Sequence, residues 1–283
     1  MPTSRSKPQK AYKNLDFLNS PEARVVRMMA EFLEPQRRLR QAKVADTIVV
    51  FGSARIKPRR ETAKALAQTR AKFAGRKRAT RAMLQELRSA ELAHDLSRYY
   101  ADAVELTRLL TTWSKRLTPA NRFVVCSGGG PGIMEAANRG ASLAGGKSIG
   151  LNISLPFEQF PNPYVSPGLD FEFHYFFMRK FWFVYPAKAL VVFPGGFGTL
   201  DELMEVLTLL QTDKIKKRVA VLVYGTEYWS KVLDFEAMAD HGMVSRSDLD
   251  LFQFANTPEE AFAKLRDFLT KEYLGNKRIR GKG

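Results

Sequence analysis

The chain has 283 residues, 45% of them hydrophobic, and a formal net charge of +16. That is enough to bury a full core as one domain with extensions. No apolar stretch reaches the ~18 residues of a membrane span, and the basic start MPTSRSKPQKAYKN lacks the apolar segment of a secretory signal. A single cysteine, Cys126, excludes an internal disulfide and fits a reducing cytoplasm, where the chain is expected to reside.

The positive charge is concentrated in the N-terminal tail, in Arg37 to Lys43, between Arg55 and Arg88, and in Lys277 to Lys282. Such a field attracts anionic metabolites or nucleic acid. Aromatics are not interleaved with these cations, however, and no nucleic-acid-binding motif is present, so a solvated helical face is the better reading.

In chain order, residues 1–19 read as a loose basic arm. Ser20-Pro21-Glu22 starts a helix whose apolar stripe, Val25, Met28, Met29, Phe32 and Leu33, runs to Pro35. That stripe must pack on the main domain or on a second subunit. Thr47 to Phe51 is the first core strand, followed by the turn Gly52-Ser53-Ala54-Arg55. Residues 56–90 have helical composition and a weak apolar face, as an inserted segment would. The main helix is predicted from about Ala90 to Leu117, with Leu92, Leu96, Tyr99, Tyr100, Ala103, Leu106, Leu109 and Leu110 towards the core.

Arg122 to Cys126 is a second strand that ends in Ser127-Gly128-Gly129-Gly130-Pro131-Gly132 and enters a helix. Ser148 to Ile153 is the third strand and Asp170 to His174 the fourth. Between them, the proline-rich residues 155–168 form a candidate lid or rim. Arg179-Lys180 opens a helix before the fifth strand, Ala189 to Phe193, and Arg218 to Tyr224 is the sixth strand. Helices are predicted near 226–239 and 258–272, the second opened by Thr257-Pro258-Glu259-Glu260.

Uniformly apolar strands alternating with helices specify an α/β fold. It is a Rossmann-like, doubly wound parallel sheet with helices on both faces, plus N-terminal and inserted helices. The expected division is 1–45 as arm and N-terminal helix, 46–225 as nucleotide-binding core, and 226–283 as C-terminal helices and basic tail. Right-handed crossovers bring the turns after Phe51, Cys126 and Phe193 to one rim of the sheet.

On that rim, Gly195, Gly196, Gly198 and Thr199 precede a helix N-terminus, where unpaired amides and the macrodipole favour a phosphate. Glu202, one turn into the helix, would face whatever carries that phosphate. Thr199-Leu200-Asp201-Glu202 is equally a capping box, and spacing leaves both readings open. Ser53, Gly129 and Gly130 are further candidates to hold the ligand, and Glu205 is a weaker candidate for the carboxylate. The dinucleotide fingerprint fails, because Asp201 and Glu135 stand where its third glycine belongs. Gly146-Lys147-Ser148 precedes a strand and lacks the first Walker glycine. His94, His174 and His241 have no metal-ligand spacing, so neither metal nor cofactor is expected.

Pro194-Gly-Gly-Phe-Gly-Thr-Leu-Asp-Glu202 has the form PGGxGTxxE and follows Arg179-Lys180. With Gly128-Gly-Gly-Pro-Gly-Ile-Met-Glu135, it resembles the LOG (Lonely Guy) family, often labelled lysine decarboxylase-like, over roughly 46 to 225. The arm, the insertion and the tail resemble those of longer bacterial members. The resemblance implies a homodimer or higher homo-oligomer without membrane attachment. It also implies hydrolysis of the N-glycosidic bond of nucleoside 5′-monophosphates, AMP or cytokinin ribosides, to base and ribose 5-phosphate. Arg179 and Glu202 match the family's catalytic arginine and glutamate, and Gly195 to Thr199 its phosphate loop. Many cytokinin-activating members read MHxRK where this chain has Phe176-Phe177-Met178-Arg179-Lys180, which puts AMP at least level with a cytokinin nucleotide. A nucleotide-binding protein without hydrolase activity is the alternative. Lysine decarboxylation is disfavoured, since nothing marks the buried lysine and pyridoxal site it needs.

Overall fold

The computed structural model describes residues 7–74, 79–155 and 160–275. The basic tail 277–282 and the start of the basic arm lie outside them, as do the middle of the insertion and part of the proline-rich stretch. Residues 15–19 belong to a short helix, α1 (Leu15–Asn19), capped by Asn14, whose Oδ1 accepts from Phe17 N. Helix α2 (Arg24–Gln41) does not stop at Pro35 but carries it in its interior.

The core follows in the order β1 (Asp46–Phe51), α3 (Arg59–Phe73), α4 (Arg81–Leu96), α5 (Arg98–Lys115), β2 (Phe123–Ser127), α6 (Ile133–Leu143) and β3 (Ser148–Ile153). Then come β4 (Asp170–Phe173), α7 (Phe176–Val184), β5 (Ala187–Val192), α8 (Phe197–Gln211), β6 (Ala220–Tyr224) and α9 (Thr226–Val232). The chain closes with α10 (Phe235–Asp240), β7 (Gln253–Ala255) and α11 (Pro258–Leu269).

The strands form one seven-stranded sheet in the order β4-β3-β2-β1-β5-β6-β7, parallel throughout. Successive residues of a strand point to opposite faces, and both faces are covered. Ile48, Val50, Val125, Val191 and Leu222 enter the core beneath α5, α6 and α11. Val49, Phe51, Cys126, Leu190, Val192 and Val223 enter the one beneath α7 and α8. This double burial is why the strands are apolar at nearly every position.

The strand order reverses between β1 and β5, which pair directly, Phe51 opposite Val192. In such sheets a crevice opens beyond the carboxyl ends of the two strands that flank the reversal. Further elements differ from expectation, among them the helical stretch near 226–239, which is split into α9 and α10. The long helix expected from Ala90 is broken at Ser97, so α4 belongs with α3 in an inserted hairpin and α5 begins at Arg98. A seventh strand, β7, was not anticipated; it is short, starts with a polar residue and sits at the sheet edge.

Candidate active site

A pocket of about 1010 Å³ lies over the β1/β5 reversal, lined by Gly52 to Ile56, by Pro194 to Leu200, and by Arg179 and Glu202. Gly195 is covered by the Thr199 side chain, whereas a Cβ on Gly196 or Gly198 would meet nothing within 4 Å. The backbone at Gly196 and Gly198, at the start of α8, therefore borders open space. Tyr228 fixes the turn by donating its hydroxyl to Gly195 O at 2.8 Å. Ser53 also faces the pocket; its backbone N donates to Pro194 O (3.0 Å), tying the two strand-end turns together.

Glu202 is only 4% exposed, and its Oε2 has no hydrogen-bond partner. Helix α8 starts at Phe197, with Gly196 as its cap and no side-chain cap bond, so Glu202 does not act as the capping-box residue. Burial pushes its carboxyl up from an ordinary 4.5 to about 7, against the opposing pull of Arg179 and Lys180. A buried carboxylate with an unused oxygen needs a partner, and the described residues supply none.

Arg179 comes from the second turn of α7 rather than its start. Its Nε donates to Leu151 O at 2.7 Å, and its guanidinium carbon lies 4.8 Å from the centre of the Phe183 ring. Nη2 rests against Gly128, where a Cβ would come within 2.8 Å of it. Burial lowers the guanidinium's pKa from its ordinary value, and the nearby Glu202 charge opposes that. Lys180 turns the other way: its Nζ bridges Asp201 (2.8 Å) and Glu205 (2.9 Å), stitching α7 to α8. Glu205 is thus engaged by Lys180 and is not among the residues lining the pocket.

The turn after β2 does not open into the pocket. Gly129 and Gly130 are buried, and both carbonyls accept from Asn162 Nδ2, at 2.9 and 3.1 Å. Asn162 itself belongs to the proline-rich stretch, which it ties to this turn, while Tyr164 and Ser166 bond to Ser148 of β3. Several pocket residues were not foreseen. Ser89, Leu92, Ala93 and Leu96 bring the inserted hairpin over the site, opposite Tyr228 and Val232 of α9. Leu92, expected in the core, is 52% exposed in this wall. Its helical spacing from Leu96 was legible; the break at Ser97 that redirects the face was not. Among the described residues, no three His, Cys, Asp or Glu side chains gather as a cation site would require.

The family model described as "Possible lysine decarboxylase" matches residues 134–265, a stretch that includes Arg179 and the turn from Pro194 to Glu202. The relatives that the chain resembles include phosphoribohydrolases of the LOG type. The chain is 28% identical over 181 residues to the probable cytokinin riboside 5′-monophosphate phosphoribohydrolase LOGL2 of Oryza sativa subsp. japonica, covering 62% of this chain and 69% of the relative. It is 33% identical over 110 residues to the pyrimidine/purine nucleotide 5′-monophosphate nucleosidase of Escherichia coli K12, covering 35% of this chain and 23% of that relative. Among solved structures, the molybdenum cofactor binding protein from Rippkaea orientalis superposes with a TM-score of 0.44 at 21% identity, covering 61% of this chain and 88% of that one.

Among the described residues, no helix is long and apolar enough to cross a membrane.

Proposed function

We propose that the protein hydrolyses the N-glycosidic bond of purine nucleoside 5′-monophosphates. The observation that carries this reading is the desolvated Glu202 carboxylate, one oxygen unpartnered, sharing a pocket with Arg179 beside an unobstructed helix N-terminus. The names of the relatives support the same class of reaction.

The phosphate binds the first amides of α8, where the macrodipole favours it, with the Ser53 hydroxyl alongside. That remote binding aligns the ribose with the reacting groups. As the C–N bond at C1′ breaks, its electron pair leaves with the base and positive charge develops on the ribose, as in other glycoside cleavages. Ionised Glu202 stabilises that charge and takes a proton from the attacking water, which supplies the hydroxyl on C1′. Arg179 stays charged and cannot donate a proton, so it stabilises the negative charge on the departing base or grips the phosphate. The base acquires its proton from solvent or from Glu202. Water plus nucleotide gives base plus ribose 5-phosphate, and no step requires another reactant.

Exposed apolar residues support a homo-oligomer: Val25 (67%), Met29 (49%) and Leu33 (51%) on α2, and Phe197 (92%) at the rim. The lone, buried Cys126 is compatible with a reducing cytoplasm. Incubation with AMP and with N6-substituted AMP, read by chromatography, should yield free base. Arg179→Ala and Glu202→Ala should each lower the rate about 10²- to 10³-fold with the fold retained. Nucleotide binding without release of base would refute the hydrolase and leave a binding protein.

A further inference from the structure

Helix α2 stands outside the sheet, yet one of its residues reaches the helix that carries Arg179. The Glu31 carboxylate accepts from His174 N (2.7 Å) through Oε1 and from Tyr175 N (3.2 Å) through Oε2. These amides immediately precede α7, whose cap residue Tyr175 makes no side-chain cap bond of its own. A carboxylate at a helix start satisfies orphan amides and complements the dipole. Here α2 supplies it from far away in sequence.

The same residue makes a second attachment. Trp182 Nε1 donates to the Glu31 carbonyl at 3.0 Å. In an uninterrupted helix that carbonyl would accept from the amide four residues on, but that residue is Pro35, which has none. The proline inside α2 therefore leaves the Glu31 carbonyl free for α7. Phe32 adds ring contacts, 5.4 Å between centroids to Phe181 and 6.0 Å to Trp182.

Arg179 lies between the two attachments, one turn after Tyr175, to whose carbonyl its own amide donates (3.2 Å). Its side chain donates to Leu151 O, lies over the Phe183 ring and closely approaches Gly128. The guanidinium's position thus depends on where α7 sits. We propose that Glu31 is a positioning residue for Arg179, clamping α7 so that the guanidinium stands at the reacting sugar. This rests on the hydrolase reading above.

The test uses the full chain and AMP. Glu31→Ala should lower kcat about ten- to a hundred-fold, the scale of a small misplacement of a reacting group, with little change in KM. Glu31→Gln, which keeps one acceptor oxygen, should recover part of the rate. Amide exchange in Glu31→Ala should accelerate at 174–180 and not across the sheet. In an Arg179→Lys background Glu31→Ala should cost nothing further, because the two residues act as a unit. Parental turnover in Glu31→Ala, or the same proportional loss in both backgrounds, would overturn the proposal. If Glu31→Ala does not fold, the cycle is run with Glu31→Gln. Absence of base release by the parent protein would sink the hydrolase reading alone. The clamp is then judged by exchange: unchanged protection at 174–180 refutes it, and faster exchange confined there supports it.

Discussion

After β2 the chain runs Ser127-Gly128-Gly129-Gly130-Pro131-Gly132, and after β5 it runs Pro194-Gly195-Gly196-Phe197-Gly198. Both are glycine turns that leave the same edge of the sheet and enter a helix. In the first, the glycines are crowded. A Cβ on Gly129 would lie 2.6 Å from Asn152 Nδ2, and one on Gly132 would strike the Ser53 carbonyl; both glycines have positive φ, +75° and +72°. In the second, Gly196 and Gly198 border empty space. The β2 turn is a packing junction against Ser53 and Arg179, and the β5 turn is left open towards the pocket. Glycine is needed in the first by the packing around it; in the second, on the proposed function, it leaves room for the phosphate.

Exchanging glycine for alanine in each turn separates these two roles. Gly132→Ala combines a left-handed backbone with a clash against main chain, and should destabilise the fold by about 3 kcal/mol or more in denaturant unfolding. Gly198→Ala has free space and should leave the unfolding midpoint near that of the parent, while raising KM for AMP about tenfold by intruding on the phosphate. A Gly132→Ala protein of parental stability would show that the turn yields.

The pH response bears on the open turn's carboxylate. Glu202 ionises near 4.5 in the unfolded chain and at about 7 in the folded protein. Its contribution to stability is complete below pH 4.5 and is lost as pH rises to 7, a loss on the order of 3 kcal/mol. Glu202→Gln should therefore match the parent near pH 4.5 and exceed its stability above pH 7. Activity should run the other way, because the proposed reaction uses the ionised form: kcat should climb through pH 7 to a plateau. A kcat profile flat from pH 5 to 9 would remove Glu202 from the ionised role.

Much of this was legible in the sequence, because strands covered on both faces must be apolar and glycine turns after strands must meet on one rim. Arg179 and Glu202 were found through their motif, and the structure brings them to one pocket. The roles of Gly129 and Gly130 were not legible, because they depend on Asn162, more than thirty residues away. Nor was the Glu31 attachment, whose partners lie 143 and 144 positions on. Local pattern specifies elements; it does not say which of two similar turns the distant chain will cover.

The wall opposite the open turn is the part of the site peculiar to the insertion, and it gives the smallest expected effect. Helices α3 and α4 hold to each other by the exposed ion pairs Arg70–Glu91 (2.9 Å) and Lys72–Glu86 (2.8 Å), contacts worth little to stability individually. Leu92 lines the pocket, 52% exposed, whereas Leu84 on the same helix is 57% exposed and does not line it. Leu92→Asp should leave folding within about 0.5 kcal/mol of the parent. The new carboxylate would repel the phosphate, raising KM for AMP several-fold at low salt and less at high salt, as screening weakens the repulsion. Leu84→Asp, equal in charge and similar in exposure, should change neither KM nor its salt dependence. Equal effects from the two would mean that the hairpin acts on the nucleotide only through its overall charge. An effect confined to Leu92 makes α4 a substrate-facing wall.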